Sequence, residues 1–333
     1  MDRPESRLSD SSGEGQIRIL VAGAGAVGSF YGAKLSQVGA SVALLCRSDY
    51  DHILRYGVDI ESVWGDFHFQ PELVVKTAAE YRQRLGPADI VLVALKSLPC
   101  VDVPAIIMEA VGPGTAVLLL QNGIEVERPV ADAFPKNDLL SAIAFVCISR
   151  ISPGRGRHLD YGRVVIGGYP DGAGDRVKKV AGMFEKAGIP VRITGDIVME
   201  RWLKLVWNAP FNPLSVLCGG ATTKQILDSP ECALVARKVM EEVVSIAAAE
   251  GISLPADAVT RNMTDTAKMK PYKTSMCLDY EAGRPLEVEA ILGRAVAAAP
   301  DSDDLARLRD GRAAARHVDR SGRRDAPGDG HCG

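Results

Sequence analysis

The stretch Ile17-Arg18-Ile19-Leu20-Val21-Ala22-Gly23-Ala24-Gly25-Ala26-Val27-Gly28 decides the fold. An apolar burst of this length, stopped by Gly23, reads as a strand buried in a sheet. Gly23, Gly25 and Gly28 complete G-x-G-x-x-G at a turn into a helix, predicted to run through Tyr31-Gly32-Ala33-Lys34-Leu35 and to end near Gly39. A second strand, Ser41 to Cys46, follows at βαβ spacing. The glycine pattern alone is a weak signal, but placed strand, turn, helix, strand it predicts a dinucleotide-binding unit. Gly23 permits the tight turn, Gly25 lets the backbone approach a pyrophosphate, and Gly28 allows close helix–strand packing. Ala26 and Val27 open the helix, whose free N–H groups face the phosphates, and they complete the cofactor-binding turn.

Cofactor choice is read at the end of the second strand. NAD enzymes usually place an acid there for the ribose hydroxyls, whereas an Arg accommodates the 2′-phosphate of NADP. Here the strand ends in Cys46-Arg47-Ser48, a cation and a hydroxyl suited to a phosphate. Asp49 is the competing signal, since a shift of two residues would bring in an acid. The reading favours NADP.

Two more apolar strands close on polar residues: Ala88 to Leu95 on Lys96, and Thr115 to Leu120 on Gln121-Asn122-Gly123. In open parallel sheets, ligands sit beyond the carboxyl ends of the strands. Lys96 and Asn122 are therefore candidates for the nicotinamide and substrate end of the crevice, against the simpler readings of a solvated loop lysine and a turn Asn before Gly. From Leu140 to Ile151 and Gly162 to Gly167 come short β-rich pieces, then a helix around Arg176 to Ala187 and a strand from Pro190 to Thr194. Gly195-Asp196 marks the boundary of this domain.

The second half is helical. In the run from Trp202 to Leu214 the only polar side chains are Lys204, Asn208 and Asn212, which share one helical face at i, i+4 and i+8. A solvated stripe normally carries more charge than one lysine and two amides, so the face reads as the wall of a polar cavity. Ser229-Pro230 starts another helix that runs to Gly251. Further on, Gly283 ends a helix and Pro285 opens the next, which puts Glu287 in a first turn favoured by the helix dipole. Solvated glutamates are also common there.

The chain as a whole has 333 residues, 47 % hydrophobic, with a formal net charge of −3. That length suits two domains, and the near-neutral charge gives no reason to expect nucleic acid or a membrane surface as a partner. The seven cysteines are scattered without a C-x-x-C pair, which predicts reduced thiols, no metal cage and a cytoplasmic setting. Residues 1–16 are acidic and Ser-rich, and a disordered N-terminal tail is expected. Residues 300–333 are rich in Arg, Asp, Ala and Gly with almost no large aliphatics, which predicts a disordered tail of the kind a shifted reading frame in GC-rich DNA would produce. An apolar-periodic continuation should then appear in one of the gene's other two frames.

The chain resembles the ketopantoate reductase (2-dehydropantoate 2-reductase) family. The resemblance covers roughly residues 17 to 295. It rests on Gly23-x-Gly25-x-x-Gly28 with Arg47, Leu95-Lys96, Gln121-Asn122-Gly123, Trp202-x-Lys204-Leu-x-x-Asn208-x-x-x-Asn212-Pro213, and Ser275-Met276-x-x-Asp279-x-x-x-Gly283-Arg284-x-x-Glu287. It implies an α/β fold, a Rossmann-type NADP-binding domain over 17–194 followed by an all-helical domain over 195–299. It also implies reduction of ketopantoate to D-pantoate by NADPH, on the route to pantothenate and coenzyme A. Carried over by motif, Lys204 is the general acid and Glu287 its acidic partner. Asn208, Asn212, Ser275 and Asn122 bind the substrate, a small 2-oxo acid. Gly23, Gly25, Ala26, Val27, Gly28, Arg47, Lys96 and Asn122 bind the cofactor. A homodimer is compatible with this reading. Rival readings are a reductase of another branched 2-oxo acid and a catalytically inactive NADP-binding sensor. Pro210 departs from the pattern, and a kink there would move Asn212 relative to Lys204.

Overall fold

A computed structural model of the protein describes residues 16–298 and 306–322, so the expected N-terminal tail lies outside the described residues except for Gln16. Ten strands form one sheet. In chain order they are β1 (Arg18–Ala22), β2 (Ser41–Leu45), β3 (Val58–Ser62), β4 (Phe67–Phe69), β5 (Leu73–Val75), β6 (Ile90–Val93), β7 (Ala116–Leu119), β8 (Leu139–Ser152), β9 (Arg155–Gly168) and β10 (Val191–Ile193). The sheet order is β4-β3-β9-β8-β7-β6-β1-β2-β5, with β10 also paired to β9. From β5 to β8 every pairing is parallel. The carboxyl ends of β1, β6 and β7 therefore lie along one edge, and each leads into a segment named above: the glycine turn, Lys96 and Asn122.

The parallel half is buried on both faces. Ile19 and Val21 pack with Phe30, Tyr31 and Leu44 on one side, while Leu20 and Ala22 pack with Val91, Val93 and Val117 on the other. Burial on both faces is why β1 reads as an unbroken apolar run instead of an alternating one. The sheet beyond Leu139 departs from expectation. The predicted short pieces are one antiparallel hairpin of two 14-residue strands, β8 and β9. The polar stretch Arg155 to Tyr161 concealed the first half of β9. There the strand lies against β3, and Arg155 and Arg157 reach Glu61 across it at 2.9 and 2.7 Å, the cross-strand charge pairing that polar strands use.

The helical domain is built on helix Ile197–Leu217, whose N-terminus is capped by Asp196 accepting the Met199 N–H at 2.8 Å. The helix runs unbroken through Pro210 and Pro213, so the expected disruption at Pro210 does not end it. Each proline removes one backbone donor, and burial of Pro210, Phe211 and Pro213 in the domain interior holds the segment helical regardless. Around it pack helices Thr223–Asp228, Pro230–Ala249, Ala258–Lys268 and Ser275–Glu281. The segment after Glu287 is a π-helical turn, Glu289–Gly293, continued by Arg294–Ala298. The shared core includes Trp202, Leu205, Phe211, Met240, Val243 and Leu292.

Two expectations are corrected. The segment expected to be a disordered tail contains a helix, Ala306–Gly322; the remainder of 300–333 lies outside the described residues. Leu308 and Ala315, two turns apart on one face, enter the helical core. The Arg307 side chain and the Leu308 N–H reach Glu242 at 3.1 and 2.8 Å, Arg312 and Arg316 both pair with Glu289, and Asp319 accepts the Leu286 N–H at 3.1 Å. Composition pointed to disorder because so few residues are apolar, but two at the right spacing, with acidic partners for the arginines, dock the helix. The second correction concerns thiols: Cys46, Cys147 and Cys277 are buried and free, whereas Cys100 is disulfide-bonded. Among the described residues no helix is long and apolar enough to cross a membrane.

Leu308→Ala should lower stability by about 2–5 kcal/mol, the range for truncating a buried leucine. Urea denaturation checks it, and an unchanged midpoint would mean that the terminal helix does not dock.

Candidate active site

The glycine turn is built as its sequence requires. Gly23 has φ +101°, and a Cβ there would lie 2.8 Å from the Ala94 carbonyl carbon. A Cβ on Gly28 would fall 2.1 Å from the Gly23 oxygen, which no rearrangement of side chains relieves. At Gly25 a Cβ would meet nothing within 4 Å, so the backbone there borders open space. Helix Ala26–Ser36 starts at Gly25 with no side-chain cap. Its first N–H groups therefore point toward that space without an internal acceptor, a geometry that fits a pyrophosphate.

Arg47 and Ser48 are exposed beyond β2. Asp49, the competing acid, is 5 % exposed and turned inward. It forms an ion pair with Arg150 and accepts hydrogen bonds from Ser48 Oγ at 2.9 Å and from the Gly154 N–H at 3.2 Å. Asp49 thus anchors the β8–β9 hairpin, and the group presented at the strand end is the arginine.

Lys204 is half-buried on the central helix, where that helix meets the sheet edge. Its Nζ donates to Asn122 Oδ1 at 2.8 Å and to the Ala144 carbonyl oxygen at 2.9 Å. The other end of the Asn122 amide faces Glu287 and favours its charged form. Chemistry fixes this orientation: an ammonium only donates and a carboxylate only accepts, so Oδ1 faces the lysine and Nδ2 the glutamate. Glu287 Oε1 also accepts the Ser97 N–H at 2.8 Å, and Ser97 Oγ donates to the Asn122 carbonyl at 2.9 Å. Lys96 pairs with Asp279 and donates to the Pro285 carbonyl at 3.3 Å, while Asp279 also binds Arg284 Nε at 2.9 Å. Lys204, Asn122 and Glu287 therefore form one relay, with Lys96 and Asp279 stitching the two domains beside it.

The electrostatics follow from burial. The Lys204 ammonium is lowered to about 7, mainly by desolvation and further by the positive charges of Arg201 and Arg163, against the opposing pull of Glu287. The Glu287 carboxyl is raised by burial, opposed by the Ser97 N–H, the Lys96 charge and the Asn122 amide. Such a lysine can hold or release a proton near neutrality, which an ordinary surface lysine cannot.

The sequence-predicted residues are not all brought together. Lys204 and Asn208 share a cavity of about 10 Å³ with Gln121, Asn122, Gly123 and Arg201, room for about one water. Gln121 Oε1 is buried there without a partner. Asn212 lies about 12 Å further along the axis at 1.5 Å per residue, buried at 2 % exposure and outside that cavity. Its carbonyl accepts Ser215 Oγ, which in turn meets Thr274 Oγ1 at 2.6 Å, next to the exposed Ser275. Asn212 and Ser275 thus mark a second end of the helix face and are not joined to the relay. Sequence reading gave no role to Ser97, Gln121, Arg201 or Asp279. An arginine one turn before Lys204, extending the same polar face, was the signal for one of them.

Comparison with known proteins agrees with this architecture. The ketopantoate reductase PanE/ApbA family model matches residues 19–171 and its C-terminal counterpart residues 196–302. The chain belongs to the ketopantoate reductase family. It is similar to the 2-dehydropantoate 2-reductase of Nostoc sp., 36 % identical over 282 residues, which cover 83 % of this chain and 86 % of that one. The crystal structure of 2-dehydropantoate 2-reductase from Methylococcus capsulatus superposes with a TM-score of 0.84 at 42 % identity, covering 92 % of this chain and 98 % of that one. A ternary structure of D-mandelate dehydrogenase with NADH and anilino(oxo)acetate, 19 % identical, covers 92 % of this chain and 99 % of its own at a TM-score of 0.82 and shares the fold. The chain is an oxidoreductase of this family.

Gly28→Ala should abolish dinucleotide binding, because its Cβ collides with backbone. Titrating quenched tryptophan fluorescence with NADPH checks this, and affinity within twofold of the parent protein would refute the packing argument.

Proposed function

We propose that the protein is an NADPH-dependent 2-dehydropantoate 2-reductase, reducing ketopantoate to D-pantoate on the route to pantothenate and coenzyme A. The observation that carries the reading is the relay of Lys204, Asn122 and Glu287 at the carboxyl edge of the sheet, beside the glycine turn. NADP is favoured over NAD because Arg47 stands at the end of β2 while Asp49 is committed to Arg150. Gly23, Gly25, Ala26, Val27 and Gly28 would hold the pyrophosphate, Arg47 the 2′-phosphate, and Lys96 and Asn122 the nicotinamide end.

When bound, NADPH supplies the hydride that reaches the carbonyl carbon of the substrate. The protein's own work is at the oxygen, where negative charge develops. Lys204 donates a hydrogen bond to that oxygen and then its proton, so the ketone becomes an alcohol and the lysine is left neutral. Asn122 holds Nζ in place, and Glu287, through Asn122, favours the charged form of the lysine before transfer. Asn208, on the same face one turn on, offers donor and acceptor groups to the hydroxyl and carboxylate oxygens of the substrate. Asn212 and Ser275 are assigned to its far end. A reductase of another branched 2-oxo acid would use the same machinery with a different fit at that end.

Purified protein should oxidise NADPH rapidly with ketopantoate, and slowly with pyruvate, 2-oxoisovalerate or NADH in place of the preferred partner. Lys204→Ala should cost about 10²–10⁴-fold in turnover while NADPH still binds. Turnover retained in that variant, or none with any oxo acid in the parent, would sink the proposal.

The pH dependence has a definite sign. Lys204 acts protonated and its amine titrates at about 7 in the free protein, so kcat/KM should be full at lower pH and fall as pH rises through that value. A profile flat to pH 9 would contradict the assignment.

A further inference from the structure

Arg201 and Glu127 form an ion pair with side chains only 3 % and 2 % exposed. Such a pair is weak evidence for stability, because desolvation of both charges offsets their attraction. Its hydrogen bonds indicate another role. Arg201 donates through Nε and Nη2 to Ser141 Oγ at 3.0 and 2.8 Å, and through Nη1 to the carbonyls of Gln121 and Gly123 at 2.8 and 2.9 Å. Ser141 Oγ in turn donates to Glu127 at 2.7 Å. The guanidinium thus grips the residues on either side of Asn122, and strand β8 through Ser141.

Those are the two elements that Lys204, one turn later on the same helix, also contacts: Asn122 in that turn and Ala144 on β8. The far side of the turn is equally confined. Gly123 has φ +99°, and a Cβ there would lie 2.5 Å from the Ala290 oxygen. The turn is therefore pressed between the π-helical segment and the arginine, with the Asn122 side chain as its functional projection.

We propose that Arg201 is a positioning residue of the active site, clamping the Gln121–Gly123 turn to the central helix so that Asn122 stays aimed at Lys204. The planar fork is what the role needs, since it bonds two carbonyls and a hydroxyl from one rigid group, and a lysine in its place cannot. Its buried charge also stands beside Lys204 and helps to keep that ammonium easy to deprotonate. The proposal rests on the reductase reading, and it includes a readout that does not require turnover.

Three variants test it: Arg201→Lys, the double substitution Glu127→Gln with Arg201→Gln, and Ser141→Ala. Each is assayed with ketopantoate and NADPH. Each is also labelled with trace acetic anhydride across a pH series, so that mass spectrometry reads the titration of the Lys204 amine directly. Arg201→Lys should lower kcat by about 10- to 100-fold, with the substrate KM changed far less and NADPH binding retained. The double variant removes the Arg201 charge beside Lys204 together with its counter-ion Glu127, and should move the Lys204 titration upward. Ser141→Ala keeps both charges and should lower kcat by about tenfold, which decides the matter if the double variant does not fold. Folded variants with parental kcat overturn the proposal. So does a loss of kcat matched by lower thermal stability with an unmoved Lys204 titration in the double variant, since that pattern is a purely structural role. If the parent protein reduces no oxo acid, the labelling still reports on Arg201, and the two failures stay separate.

Discussion

Two cations one helical turn apart, Arg201 and Lys204, enter the seam between the sheet edge and the central helix, and the site depends on how each is satisfied. Arg201 is paired with Glu127 and donates to Ser141 and to the carbonyls of Gln121 and Gly123. Lys204 donates to Asn122 and Ala144, and Glu287 acts on it across the Asn122 amide instead of pairing with it directly among the described residues. A salt-bridged lysine would hold its proton too tightly to give it up near neutrality, and an unpaired buried one would not stay charged. The intermediate arrangement leaves an ammonium that titrates at about 7.

The seam is closed by polar contacts from both domains. Lys96 and Ser97, at the end of β6, meet Asp279, Pro285 and Glu287 of the helical domain. The Gln121–Gly123 turn, at the end of β7, meets Arg201 and Lys204. Parallel strands deliver both segments to one edge, which is why such sheets place their chemistry there. The glycine turn at the end of β1 adds a backbone that borders open space at Gly25 and is packed tightly at Gly23 and Gly28.

Packing overrode local sequence signals at two places. Pro210 and Pro213 sit inside a 21-residue helix because the surrounding core fixes the backbone more strongly than two missing N–H donors loosen it. Helix Ala306–Gly322 has a composition typical of solvated tails, yet Glu242 and Glu289 supply the partners that let its arginines lie against the domain. Neither acid showed any relation to that segment in the linear sequence.

Strands β1, β2, β6 and β7, the glycine turn and the shared face of Lys204 and Asn208 were legible because each depends on near neighbours in the chain. Periods of two and 3.6 residues, and the short reach of a βαβ turn, write such features locally. What joined them was not legible. That Asn122 bridges Lys204 to Glu287, that Asp49 turns away to Arg150, and that Arg201 holds the turn between Gln121 and Gly123 are contacts across 78 to 101 residues where the bonds are direct. The sequence determined which groups could carry a proton or face a phosphate. Only the tertiary structure decided which of them were desolvated together, because burial and pairing, and with them the acidity of a lysine, are properties of the packed interior and not of the residue.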